Sequence, residues 1–367
     1  MRISFANDYS EGCLPEILEN LSKTNFEQIS GYGLDSYSKS AISKIEELLG
    51  AEPDQVDIHF TVGGTQANLI VISHVLKPYS GVLSAPQGHI ATHESAAIEA
   101  TGHKVIMLDA DPYSGKIDAQ TLAAFLNEYW ANPEPEHSPF PGMIYFSNAT
   151  EYGTLYSAEE ISAIRDVADK YDISIFMDGA RLGTALTAEP GVLSFGQLLD
   201  LVDVFTIGGT KNGALSGEAI VFTNRKYNYG NRFRWTLKQR GGMLAKGRLL
   251  GIQFDTLFTD DLYFRAAKHA NRMADLLRTG LKQRNVKFWT ETKTNQLFIL
   301  IAPEMKQMLL QDFIFLDWLI PTEQQLSELG LEKSDQEYHV IRLVTSWATQ
   351  KEWIEQFLNR WDDFANL

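Results

Sequence analysis

Two stretches of this chain end apolar, strand-like runs on groups that can do chemistry. Ile173-Ser174-Ile175-Phe176-Met177 leads into Asp178-Gly179-Ala180-Arg181, and Thr206-Ile207-Gly208-Gly209-Thr210 leads into Lys211. The first delivers a carboxylate and the second an amine, 211 − 178 = 33 residues apart, a separation that suits one strand-helix-strand unit. A carboxylate so placed keeps a heteroaromatic nitrogen protonated, which turns the ring into an electron sink. The amine can condense with an aldehyde carried by that ring. An enzyme that uses pyridoxal phosphate needs this pair. Each member also has a plainer use. An Asp closing a strand commonly caps a helix or makes a turn, and a Lys after two glycines commonly lies in solvent. The pair gains weight from further parts in the right order.

Three such parts follow from the same reasoning. Phe60-Thr61-Val62-Gly63-Gly64-Thr65-Gln66 reads as strand, glycine pair and helix start. It presents free backbone N–H groups and the Thr65 hydroxyl where Gly64 lets an anion come close, which makes a phosphate site. It lacks the Gly-Lys-Ser/Thr end of a P-loop and the three spaced glycines of a dinucleotide turn. His89, after Gln87-Gly88, is placed to stack on a ring, with His93 and Glu94 nearby to fix it. His89 and His93 are also four residues apart and could share a helix face as metal ligands, but no convincing third ligand accompanies them. Arg342 stands on the apolar strand Tyr338–Thr345, on one face with Val340 and Val344. A buried arginine there needs a partner, and its planar fork suits a substrate carboxylate. The plainer reading is an arginine snorkelling from a half-exposed strand.

These residues need a scaffold, and the chain can build one. Its 367 residues, 44% of them hydrophobic, suffice for a large core and a smaller domain. From about Ile42 to Phe222, strands and helices alternate, as in an α/β domain with a mostly parallel sheet. The expected strands are Ile58–Val62, Gly81–Ala85, Lys104–Leu108, Gly142–Ser147, Ile173–Asp178, Val202–Ile207 and Ala219–Thr223. Helices are expected over Gln66–Leu76, His93–Thr101, Leu122–Trp130 and Ser157–Lys170, the last opened by a Ser157/Glu160 capping box. Prolines make Ala131–Pro141 a loop. After about Leu250 the pattern changes to a long amphipathic helix over Asp260–Arg284, strands near Phe288, over Leu297–Ile301 and over Tyr338–Trp347, an acid-rich stretch around Glu323–Glu337, and a last helix over Lys351–Phe364. We therefore divide the chain at residue 250: residues 1–250 form an N-terminal segment and a large α/β domain with a seven-stranded sheet, and residues 251–367 form a small α+β domain with an antiparallel sheet. The net charge of −15 and the lack of a basic stripe argue against a nucleic-acid or anionic-membrane partner. One cysteine, Cys13, allows no internal disulfide, and no run is long enough to span a bilayer. A cytoplasmic protein is expected.

In this order, the parts resemble the fold-type I pyridoxal phosphate enzymes, and within them the low-specificity L-threonine aldolase and β-eliminating lyase family. Gly64-Thr65-Gln66-Ala67-Asn68, Thr150-Glu151-Tyr152-Gly153-Thr154, Asp178-Gly179-Ala180-Arg181 and Arg342-Leu343-Val344-Thr345 carry the resemblance, which spans nearly the whole chain. It implies that Lys211 holds the cofactor covalently, Asp178 pairs with the pyridine nitrogen, Gly64 and Thr65 take the phosphate, and His89 stacks on the ring. It further implies that Arg181 and Arg342 bind the substrate carboxylate, and that the loop containing Tyr32 approaches the site. The Lys238–Lys246 segment would reach a neighbouring subunit's phosphate through Lys246. The chain departs from the family twice. Asn7-Asp8 stands where many members have a carboxylate-touching serine, and Asn148-Ala149-Thr150-Glu151-Tyr152 stands where many have a second histidine. Asn7 takes the first role by position, and the base for a β-hydroxyl stays open among His93, Glu151, water and a cofactor phosphate oxygen. The implied reaction is cleavage of a β-hydroxy-α-amino acid to glycine and an aldehyde, with β-elimination or transamination as the alternative. The positive cluster Arg232, Arg234, Lys238, Arg240, Lys246 and Arg248, in a chain otherwise acidic, points to a homodimer or homotetramer with sites at the interface.

Overall fold

The computed structural model describes residues 2–188, 192–331 and 337–365. Its strands, in chain order, are β1 (Ile3–Ser4), β2 (Asp57–Thr61), β3 (Ser80–Ser84), β4 (Val105–Met107), β5 (Phe140–Ser147), β6 (Ser174–Asp178), β7 (Val204–Gly208), β8 (Glu218–Phe222), β9 (Phe288–Thr290), β10 (Gln296–Ile301), β11 (Phe313–Ile314), β12 (Leu316–Leu319) and β13 (His339–Val344). Seven of them make one sheet in the order β2-β8-β7-β6-β5-β3-β4. Pairing is parallel from β7 through β4, and β8 runs antiparallel to both neighbours. All seven expected strands are present, each within two residues of the expected start and end.

The central strands are apolar on both faces because both faces are covered. On β6, Ile175 and Met177 enter one core cluster with Ile161, Ile164 and Phe254, while Phe176 points the other way to Ala67, Ile70 and Phe233. Helix Ala158–Tyr171 shows how locally determined some of this is. Ser157 Oγ accepts from Glu160 N (3.2 Å) and Glu160 Oε2 accepts from Ser157 N (2.8 Å), so the expected capping box is formed.

A second sheet, β12-β13-β10-β9, is wholly antiparallel, as expected for the C-terminal part. Helix Leu262–Gln283 covers it with Ala274, Leu277 and Leu281. The first residues of the chain lie with this sheet rather than with the large one: β1 pairs with β11, Phe5 O accepts from Val344 N (2.8 Å), and the Phe5 ring packs against Phe313 and Phe357. The N-terminal segment thus runs across the gap between the two sheets.

Three expectations need correction. The strand expected over Tyr338–Trp347 stops at Val344. The proline-rich loop ends earlier than Pro141, since β5 opens at Phe140. The helix expected over His93–Thr101 does not form. A short helix, His89–Thr92, ends at His93, Ser95 and Ala96 take φ of 50° and 57°, and only a 3₁₀ turn covers Glu99–Thr101. Glu94 is the reason: its side chain is drawn inward and buried on Asn68 and His89, which the backbone cannot combine with a continuous helical ladder. The acid-rich stretch gives a helix, Glu323–Glu328, and then runs partly outside the described residues.

Candidate active site

The C-terminal ends of β5, β6 and β7 carry the candidate residues, which is where an open parallel sheet offers a crevice. Asp178 closes β6, opposite Ser147 of β5, and Lys211 sits on the turn that follows β7. Two glycines let the chains turn this tightly. A Cβ on Gly179 would stand 1.9 Å from Thr206 O, and one on Gly208 would stand 2.1 Å from Ala180 O.

Asp178 is buried and heavily bonded. Its Oδ2 accepts from Tyr145 Oη (2.6 Å) and Asn68 Nδ2 (3.0 Å), and its Oδ1 accepts from Ala180 N (2.9 Å). Burial alone would raise this carboxyl, but the charge of His89, the bonds from Tyr145 and Asn68, and Lys211 outweigh it and hold it below the usual range. It is ionised at neutral pH. The same Asn68 Nδ2 donates to Glu94 Oε1 (2.7 Å), which also receives His89 Nδ1 at 2.7 Å. Asp178, Asn68, Glu94 and His89 therefore form one chain of contacts, and the His89 ring is fixed by Nδ1. The His89 backbone N–H donates to Glu151 Oε1 (2.9 Å), which accepts from Ser147 Oγ as well (2.7 Å). Burial raises the Glu151 carboxyl.

Lys211 is half-buried. Burial, and after it the charge of Arg181, lower its amine from the ordinary lysine range, against the pull of Asp8, Asp178 and Glu218. A lysine so placed releases its proton more readily and becomes a better nucleophile. Asn212 Nδ2 donates to Tyr263 O (2.8 Å) and fixes the turn. Across the crevice, helix Gly64–Val75 begins without any side-chain cap, and a Cβ on Gly63 or Gly64 would meet nothing within 4 Å. Thr65 is exposed at this open helix start.

The two arginines differ. Arg181 Nε and Nη2 both donate to the Asp8 carboxylate (2.7 and 3.0 Å), and Asp8 is also held by Asn295 Nδ2 (2.9 Å). Burial would raise the Asp8 carboxyl, but Arg181 and Lys211 bring it below the usual range. Arg342 has no carboxylate partner among the described residues. Its Nη2 donates to Ala6 O (3.3 Å), its Nε is buried with no hydrogen-bond partner, and burial together with Arg181 lowers it to about 10. It still carries its charge at neutral pH. Asn7 stands between, its Oδ1 accepting from Tyr9 N and Ser10 Oγ in a local turn.

The remaining expected residues make other contacts. Tyr32 N donates to Ala245 O, Arg234 Nη2 bonds the Tyr32 carbonyl, and Lys238 Nζ lies 4.7 Å from the Tyr32 ring centroid. Lys246 is exposed and lines an open cavity of about 1200 Å³ with Ser30, Gly31 and Lys39. Among the described residues, no hydrogen bond or ion pair joins Tyr32 or Lys246 to Lys211, Asp178 or His89.

Sequence reading missed several site residues. Asn68 and Tyr145 sit inside apolar helix and strand runs, where a polar residue is itself a signal. Glu218 pairs in register with Gly208 and Thr61, is buried, and burial holds its carboxyl well above the usual range against the pull of Lys211. Asp8 was visible only as a neighbour of Asn7.

The sheet order, the crevice and the Asp178/Lys211 pair define a fold-type I enzyme. The model of the beta-eliminating lyase family matches residues 7–304, and the chain belongs to that family. The low specificity L-threonine aldolase of Pseudomonas sp. is 31% identical over 276 residues, covering 74% of this chain and 76% of that protein. Among solved structures, the threonine aldolase of Leishmania major superposes with a TM-score of 0.88 at 38% identity, over 99% of each chain. The aspartate aminotransferase of Thermus thermophilus, at 15% identity and a TM-score of 0.69 over 99% of this chain and 91% of that one, shares the fold alone. The chain is a lyase of a family that depends on pyridoxal phosphate.

Proposed function

We propose that this protein binds pyridoxal phosphate and cleaves a β-hydroxy-α-amino acid of the threonine class to glycine and an aldehyde. The observation that carries the reading is the bonded chain Asp178–Asn68–Glu94–His89, which ties an ionised carboxylate and a fixed imidazole together beside a lysine of lowered proton affinity. These residues suit the cofactor: Asp178 for its ring nitrogen, His89 for its ring face, Lys211 for its aldehyde, and the uncapped helix start at Gly64 and Thr65 for its phosphate. When bound there, pyridoxal phosphate supplies the electron sink that lets a bond to the α-carbon break.

The protein's part is to bind, orient and move protons. Arg342 takes the substrate carboxylate, its guanidinium being partly exposed and without a carboxylate partner among the described residues. Arg181, held by Asp8, borders the same space and adds positive charge. We assign the β-hydroxyl proton to His93. The residue is exposed but its ring is partly covered and stands 5.5 Å from the His89 ring; that partial burial, then His89, Arg342 and Lys211, lower it from the ordinary histidine range, so it is neutral at pH 7 and able to accept. Glu151 keeps one oxygen on His89 N–H and Ser147 and shapes the crevice. With the cofactor bound, Lys211 would be placed to deliver a proton to the α-carbon, replacing through solvent the one that His93 takes from the β-hydroxyl.

The same reading extends to assembly and location. We infer a homo-oligomer, dimer or tetramer, in which Lys246 of the open basic cavity serves a neighbouring copy's phosphate. Phe26, between two residues that line that cavity, is 93% exposed, an apolar surface suited to burial against another copy. We keep the division of the chain near residue 250 and the cytoplasmic location, the latter on its one cysteine, which is buried and free. No helix among the described residues is long and apolar enough to cross a membrane. The test of function is incubation of the cofactor-loaded protein with L-threonine and with L-allo-threonine. Glycine and acetaldehyde are expected. A keto acid with ammonia would mean β-elimination instead, and sedimentation as a stable, fully active monomer would end the oligomer proposal.

A further inference from the structure

Strand β12 does not pair evenly with β13. Leu316 faces Arg342 and Asp317 faces Ile341, but Leu319 faces Val340, so Trp318 is the extra residue of a bulge. Bulges twist a strand and re-aim one side chain, and they recur beside active sites. Here the re-aimed side chain meets Arg342: the guanidinium carbon lies 5.1 Å from the Trp318 ring centroid.

The indole is itself held in place. Its ring meets Tyr152 edge-on at 5.6 Å and 75°, and Phe298 at 5.1 Å and 69°. Phe298 is the residue directly opposite Arg342 on β10, and Tyr152 comes from the loop after β5, so two sheets fix the tryptophan. Arg342 is thus gripped on one face by Trp318 and at Nη2 by Ala6 O, while its Nε is buried with no partner. A guanidinium losing water from one face recovers part of that cost from an aromatic face, most of all from indole. The like charge of Arg181 acts against it, which adds to the need for a fixed partner. Trp318 and Arg342 both lie beyond residue 304, where the family match ends.

We propose that Trp318 is a positioning residue for substrate binding, holding the Arg342 guanidinium in the orientation that meets the amino-acid carboxylate. The assignment rests on the functional reading above. The test uses the cofactor-loaded full chain as wild type, Trp318→Phe, Trp318→Leu, Arg342→Leu and the Trp318→Leu/Arg342→Leu double variant. KM and kcat are read on L-threonine, and glycine affinity is read from the cofactor's absorbance. Trp318→Leu should raise KM and weaken glycine roughly ten-fold, with kcat within about two-fold of wild type, and Trp318→Phe should recover most of the loss. In the Arg342→Leu background, Trp318→Leu should change nothing further. An equal loss in that background, an equal loss on threonine amide, or an unchanged glycine affinity in a Trp318→Leu protein with wild-type kcat would each overturn the assignment. A wild-type protein inert toward both amino acids would instead overturn the functional reading, and this assignment with it.

Discussion

The two ends of the large sheet treat buried charge in opposite ways. At the start of β6 and β7, Arg165 Nη1 donates to Asp203 Oδ2 (2.6 Å), Nη2 donates to Ile173 O (3.2 Å), and the same Asp203 oxygen accepts from Ile175 N (2.7 Å). Both side chains are buried, and only Arg165 Nε is left without a partner. Around the other end of the same strands, Asn68 Oδ1, Glu94 Oε2 and Glu218 Oε2 are buried without one, and so is Nε of Arg342, which belongs to the second sheet. A buried polar atom left open costs about 1–3 kcal/mol. A fold tolerates several together where something else is meant to complete them. The first end is a closed ion pair that joins a helix to the sheet. The second is a partly open set of charges, and it is the second that the proposed chemistry uses.

The contrast can be broken by substitution at either end. The largest effect should come at the open end from Lys211→Ala: turnover should fall by several orders of magnitude while the fold and phosphate-anchored cofactor binding persist. Borohydride should fix the cofactor on a peptide containing Lys211 in the wild type, and label on another lysine would refute the site. At the closed end, Asp203→Ala removes the buried partner of Arg165 and leaves it only the more exposed Asp169 (2.8 Å). It should cost about 3–5 kcal/mol of stability in denaturant unfolding, yet leave the KM of the folded fraction unchanged. Arg342→Leu should do the reverse, lowering kcat/KM for amino acids by about 2–5 kcal/mol with little loss of stability. The same loss on an amide analogue would show a folding defect instead.

The smallest effect is a matter of pH. Because the His93 pKa is lowered from 6.5, the ring is neutral at pH 7 and takes its proton only further into acid. Cleavage activity should therefore be steady near neutrality and fall as pH drops below about 6.5, through the lowered pKa. His93→Gln should depress the plateau and remove that limb. An acid limb unchanged in the variant would return the role to Glu151, water or the phosphate.

Much of this was legible locally. Strand-like runs of five or six residues alternating with helical patterns gave every strand of the large sheet, and Ser157 with Glu160 gave a helix start, because a capping box is complete within four residues. The helix expected over His93–Thr101 failed for a non-local reason: Glu94 answers to Asn68 on another element rather than to its neighbours. Asp8 and Arg181 are 181 − 8 = 173 residues apart, and nothing in either segment announces their pairing. Arg181 and Arg342 looked equivalent as carboxylate binders, and only their partners separate them.

The sequence by itself determined the order of strand, glycine turn, carboxylate and lysine, since these depend on residue type and short spacing. That order sufficed to bring out the fold class, and it put forward Asp178 and Lys211 as the pair for the proposed chemistry. The tertiary structure decided which charges are satisfied. It set Asp8 on Arg181, left Arg342 without a carboxylate beside a bulged tryptophan, and gave Tyr32 and Lys246 surroundings outside the Asp178–His89 chain of contacts. The physical reason is range. Backbone hydrogen bonding and side-chain alternation act over a few residues, whereas the environment of a buried charge is assembled from segments far apart in the chain and exists only once they have packed together.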